Sequence, residues 1–431
     1  MAAPKETSTS PRKTTGDRPA SAVGIGSAVS AASGILILFI ASHALTKEEN
    51  SEFLSFWAAL FFVYGVLGGV QTESTRAASV VALRDRTDGQ RYPRLITAGL
   101  ISGAIVAAVI AALSPVLTAF DFFQHSHIIA LGLVFTAILY AGHSALAGIL
   151  QGSGQWSLYG RFLIVDALLR LVCIGVAAAW SLGLLGLEIA TFCALSAWLL
   201  MLAFSRVARE SLKVRADVPL KRLLSQILHA VISSVSSAAL IVAFPLLLKM
   251  TTPAAVFEQS APLLLAISMT RAPIMVPLQA FQGVAIAHVV RAGSEGWRAL
   301  HRPILVLSII GALGAVAAFV VGPSLMLLFG PEYEVSGLTL ALLTLASLVM
   351  AVLTLTGTAT LSTGHHRAFS SGWASATAVA VAILLLPLSL EVRCILSLTI
   401  GPTVGILVHL LALRKPPVSA APGPVSSGPA T

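Results

Sequence analysis

Twelve stretches of this 431-residue chain stay apolar for about 20 residues or more, and no other feature restricts its fold as much. A backbone in hydrocarbon must satisfy its own N–H and C=O groups, so each such stretch reads as a spanning helix. The runs lie at roughly 21 to 45, 51 to 76, 95 to 120, 127 to 150, 158 to 180, 182 to 205, 223 to 249, 258 to 289, 303 to 329, 335 to 362, 370 to 390 and 392 to 413. Only 10% of the residues are charged, against about a quarter in a soluble protein. With 56% hydrophobic residues and a mean hydropathy of +0.90, the chain has more apolar surface than a water-soluble core can hide. The expected fold class is therefore all-α, a polytopic membrane protein with twelve transmembrane helices.

Charge placement tests that count independently. Lys and Arg gather in cytoplasmic loops, and with the N-terminus inside, 22 of the 27 basic residues fall on the inner side. Lys47, Lys249 and Arg393 fall outside, and Arg170 and Arg271 fall within helices. A miscounted helix would invert the pattern downstream of the error. Twelve spans with both termini cytoplasmic, in the inner membrane of a bacterium, is the topology expected. The net charge of +9 then reflects topology and attraction to anionic membrane lipid, not nucleic-acid binding.

The longest cytoplasmic connection divides the helices six and six. This gives a disordered tail over 1–20, a first half over 21–205, a basic linker over 206–222, a second half over 223–413 and a disordered tail over 414–431. Two echoes support a duplicated unit: Gln71 aligns with Gln279 at an offset of 208 residues, and Gly154 with Gly364 at 210. The second and eighth helices, counted to Arg84 and Arg291, exceed 30 residues and should project into the cytoplasm.

External connections are short and carry few groups for catalysis. Glu48 and Glu49 read as a helix-start charge cluster, His125 and His127 lack a third metal ligand, and no phosphate-binding loop is present. Cys173, Cys193 and Cys394 lack metal-ligand spacing and read as small packing residues. No cofactor, no metal and no enzyme activity are expected.

Interest therefore moves to polar groups inside the bundle, where charge is costly and faces a cavity or a partner. Asp166 and Arg170 stand four apart on the fifth helix, acid first, the favourable order for an ion pair. They read either as a brace or as a pair that exchanges partners in a transport cavity. Arg271 has no acid on its own helix and is surrounded by Pro262, Pro273 and Pro277; it reads as an interhelical brace or as an anion-binding side chain. In VQTESTRA, Glu73 and Arg76 can pair while Gln71 lies deeper. The run reads as an interfacial cap or as the lining of a cytoplasmic mouth, with Gln279 and Gln282 as counterparts.

GVLGGVQTESTRA in the second helix, RAPIMVPLQAFQG in the eighth and the glycine turns after the fourth and tenth give the chain a family likeness. It resembles the multidrug/oligosaccharidyl-lipid/polysaccharide (MOP) exporter superfamily, and within it the bacterial polysaccharide-biosynthesis proteins of the O-antigen flippase type. The resemblance implies two six-helix halves around a central cavity. It also implies a flippase that moves a polyprenyl-linked saccharide across the membrane by alternating access, for cell-envelope polysaccharide synthesis. On that reading Arg271 would meet a phosphate, and Gln71, Gln279 and Gln282 would meet sugar hydroxyls. The first helix carries no acid, which weakens a cation-coupled drug-export reading. The alternative is a membrane scaffold that positions a glycosyltransferase through the basic linker.

Overall fold

A computed structural model of the chain describes residues 17–83, 92–119, 122–292, 300–363 and 365–414. Most of both tails, Arg84, Asp121 and Gly364 lie outside these, as do the side chains of Gln279, Gln282 and Arg291. The long helices are α1 (Asp17–Ala44), α2 (Lys47–Leu83), α3 (Leu95–Ala119), α4 (Ser126–Gly152), α5 (Trp156–Ala179) and α6 (Gly183–Phe204). They continue as α7 (Leu220–Ile241), α8 (Ala261–Ala292), α9 (His301–Met326), α10 (Gly337–Ser362), α11 (His366–Leu384) and α12 (Leu390–Leu413). Among the described residues there is no strand beyond an isolated bridge between Arg94 and Arg215.

All twelve expected segments are helical. Ten are long and apolar enough to cross a membrane, while α8 is apolar over Ala261–Met275 and α11 is 19 residues long. The protein is a multi-pass membrane protein. At 37 and 32 residues, α2 and α8 outrun the roughly 20 that a bilayer requires. α2 starts with a reciprocal cap: the Glu49 carboxylate accepts from the Thr46 N–H at 3.0 Å, and the Thr46 hydroxyl accepts from the Glu49 N–H at 3.2 Å.

Three boundaries differ from expectation. α1 begins at Asp17, inside the stretch assigned to the tail. A 3-10 turn at Ala194–Ser196 interrupts α6, and there the Ser196 hydroxyl donates back to the Cys193 carbonyl at 2.8 Å. The run at 223 to 249 is not one helix. α7 stops at Ile241 and a separate helix covers Phe244–Met250. Pro245 accounts for the break: it has no N–H for the carbonyl four residues back, and its ring crowds that position.

Packing follows one scheme in both sets of six. α1 lies on α5 and α3 on α4, as α7 lies on α11 and α9 on α10; α2 lies on α4 as α8 lies on α10. α2 also runs along α7, joining the two sets. It can do so because both contacts are stripped of side chains. A Cβ on Gly69 would come 2.4 Å from the Val231 backbone nitrogen of α7, and one on Gly148 of α4 would come 2.4 Å from the Gln71 carbonyl. Larger residues at either position would push α2 away and alter the space beside it.

Candidate functional site

The α1/α5 pair and the α2/α4 pair touch each other little, and the space between them is a cavity of about 670 Å³, with α8 adding a wall through Ser268, Met269 and Ala272. That volume suits a drug-sized ligand. Pro273 has no N–H for the Met269 carbonyl, so the α8 wall carries one backbone acceptor without its helical donor.

The cavity's charge comes from α5. The Arg170 guanidinium donates from Nη2 to Asp166 Oδ2 at 2.9 Å, and both side chains are mostly buried. Two rings of α2 lie beside the cation, Phe61 at 5.3 Å and Tyr64 at 5.6 Å from Cζ. The pair thus brings a carboxylate and a guanidinium to the cavity without a net charge, and the buried Arg170 Nε has no hydrogen-bond partner.

An aromatic column continues from this pair. Trp57, Phe61 and Tyr64 fall on one side of α2 at spacings of four and three, as helical periodicity requires. Trp57 stacks on Phe61 at 4.7 Å between centroids, Tyr64 stacks on Tyr140 of α4 at 3.8 Å, and Tyr140 stacks on His143 at 4.6 Å. His143 Nδ1 lies 4.0 Å from Asp166 Oδ1, beyond hydrogen-bond reach, and has no other partner. Beyond the column, the Tyr159 hydroxyl lies beside the side chains of Gln71 and Gln151.

Of the residues singled out in the sequence, Asp166, Arg170 and Gln71 line this cavity. Glu73 and Arg76 do not. Arg76 grips Asp217 of the linker with Nη1 at 2.9 Å and Nη2 at 3.0 Å, while its Nε donates to Glu73 Oε1 at 2.8 Å. This three-residue brace ties the end of α2 to the connection between the halves. Arg271 is also directed elsewhere, onto the Ile241 carbonyl where α7 breaks. The aromatic column was not singled out in the sequence. Its signal is the W-x3-F-x2-Y stripe, together with Tyr140 and His143 three apart in a spanning helix.

At the end of the bundle where α1 joins α2, four contacts tie the halves together. Asn50 donates to the Tyr333 hydroxyl at 2.6 Å, Ser51 to the Glu258 carbonyl at 2.8 Å, and Gln259 to Glu48 at 2.7 Å. The fourth is an ion pair between Lys249 and Glu52, with the ammonium boxed by the rings of Phe122, Phe123 and Phe257 at 4.9 to 5.6 Å. These contacts hold the two halves against each other at that end.

No family model matches the chain. Two curated relatives from Mycobacterium tuberculosis (strain ATCC 25618 / H37Rv) do. "Uncharacterized protein Rv1510" is 36% identical over 397 residues, covering 92% of this chain and 91% of the relative. "Uncharacterized protein Rv3630" is 37% identical over 401 residues, covering 91% of each. Among solved structures the chain is similar to an inward-facing multidrug resistance MATE family transporter of the MOP superfamily. The TM-score is 0.68 at 14% identity, over 91% of this chain and 96% of that one. An outward-facing structure of such a transporter gives 0.64 at 14% identity, over 92% and 94%. At that identity the likeness is one of fold: this chain has the fold of MOP-superfamily transporters.

Proposed function

The chain belongs to the family of the mycobacterial proteins Rv1510 and Rv3630, and from that premise and its cavity we propose that it is a membrane transporter. Its cargo is a polyprenyl-linked saccharide, moved across the cytoplasmic membrane for cell-envelope polysaccharide synthesis. The observation that carries the proposal is the cavity itself, where an Asp166–Arg170 pair, an aromatic column and the Tyr159–Gln71 group face one space inside a membrane bundle. Such a lining suits a headgroup that is polar at its rim and has apolar C–H faces. It is more than a scaffold for a glycosyltransferase would require.

With both termini cytoplasmic, the Lys249–Glu52 end is the outer one, and its four contacts close the path outward. The headgroup enters from the inner leaflet, and its tail remains in lipid. Release requires those contacts to part while the α2–α7 seam pivots. No bond is made or broken, so the chain acts as a carrier and not as an enzyme.

The test is translocation of a fluorescent polyprenyl-phosphate disaccharide in proteoliposomes containing the purified protein. Movement of the sugar lipid above the rate in empty liposomes, and faster than a matched polyprenyl phosphate without sugar, supports the proposal. Equal rates with and without protein would reject it.

A further inference from the structure

Resting on that reading, we infer that the cavity seats an uncharged saccharide and that the phosphate of the carrier lipid stays outside it. Among the described residues lining the cavity, Asp166 and Arg170 are an ion pair whose charges cancel at 2.9 Å. A phosphate or uronate entering the space would meet an arginine already neutralised by a carboxylate and shared with two rings. It would also meet the Asp166 carboxylate, which repels it. An organic cation fares no better, because Arg170 occupies the acid that would attract it.

The basic residues that could shift this balance point elsewhere. Arg271 serves a backbone carbonyl, and Arg76 is held by Glu73 and Asp217. A neutral sugar meets neither penalty. Its hydroxyls both donate and accept, so they can give to Asp166 and receive from the Arg170 guanidinium, both of which line the cavity. Its C–H faces carry slight positive charge and suit the negative faces of Trp57 and Phe61.

Trp57 lines the cavity and can report binding. The protein in nanodiscs at pH 8 is titrated with maltotriose, tri-galacturonate, inorganic pyrophosphate and tetraphenylphosphonium. The Trp57→Phe variant is the blank for the other tryptophans. The expected result is quenching by maltotriose at a concentration at least tenfold below that needed for either anion or the cation. Asp166→Asn leaves Arg170 unopposed, and tri-galacturonate should then bind at least tenfold more tightly than to the native protein. The double variant Asp166→Asn/Arg170→Gln is neutral again and should lose that gain; it also covers the case in which the single variant fails to fold.

Native protein binding tri-galacturonate or pyrophosphate as tightly as maltotriose would overturn the inference and leave saccharide transport standing. Native protein binding tetraphenylphosphonium but neither saccharide would overturn the transport reading as well.

Discussion

Arg271 donates to the Ile241 carbonyl, the acceptor that Pro245 cannot serve. A proline in the short helix after α7 removes one backbone donor, and a guanidinium from α8 replaces it across the break. Arg271→Ala should therefore destabilise the protein by about 1–3 kcal/mol, the usual cost of leaving a buried acceptor unpaired. Pro245→Ala restores an N–H to the break, so Arg271→Ala should cost less in that background. Thermal unfolding of the four members of this cycle in detergent checks the coupling; strictly additive effects would show that the two residues act separately.

The Arg76 brace leads to a different expectation. Arg76→Ala leaves Glu73 and Asp217 without their shared cation, and should lower the unfolding midpoint by an amount equivalent to about 1–3 kcal/mol. Saccharide quenching of Trp57 should be unchanged in the folded fraction, since the brace lies away from the cavity. A loss of quenching with an unaltered midpoint would restore Arg76 to the binding site.

Glycine at 69 is fixed by the approach of α7. Gly69→Val should overpack the α2–α7 seam at a cost of about 1–3 kcal/mol and reduce the monodisperse fraction on size exclusion. Gly68 has open space where a Cβ would point, so Gly68→Ala should leave that fraction unchanged.

The contacts around Lys249 and Glu52 should act as a latch. Lys249→Met removes the cation from its aromatic box and leaves Glu52 without its counter-ion, weakening the contact between the halves. In a background with Cys173, Cys193 and Cys394 replaced by Ala, Ser51→Cys reports on the seam, because Ser51 is buried in the closed form. Maleimide should label it several-fold faster once Lys249→Met is added. Equal labelling would mean that Lys249 does not hold the halves together.

The helices were legible in the sequence because hydrocarbon imposes one requirement on every segment, and the Asp166–Arg170 pair was legible because both partners share a helix. The break at Pro245 was masked by the hydropathy of FPLLLKM. Arg271 was visible as a lone buried cation, but its partner is a carbonyl that becomes free only through that proline. Arg76 offered Glu73 three residues away, while Asp217 lies 141 residues on in sequence. Trp57, Phe61, Tyr64 and Tyr140 escaped notice because aromatic side chains in an apolar run look the same whether they face lipid, core or cavity. Only the pairing of α2 with α4 and α1 with α5 shows which face is open.

On the proposed function, this cavity carries a saccharide headgroup across the membrane. The most direct test is the translocation rate of the fluorescent polyprenyl-phosphate disaccharide for native protein, Trp57→Ala and Arg76→Ala at equal folded amounts. Native protein should transport it, Trp57→Ala should lose at least tenfold in rate, and Arg76→Ala should stay near native; this is how a headgroup that uses the cavity would behave. Native rates in Trp57→Ala would contradict the proposal, because the headgroup would then cross without using the aromatic wall of the cavity.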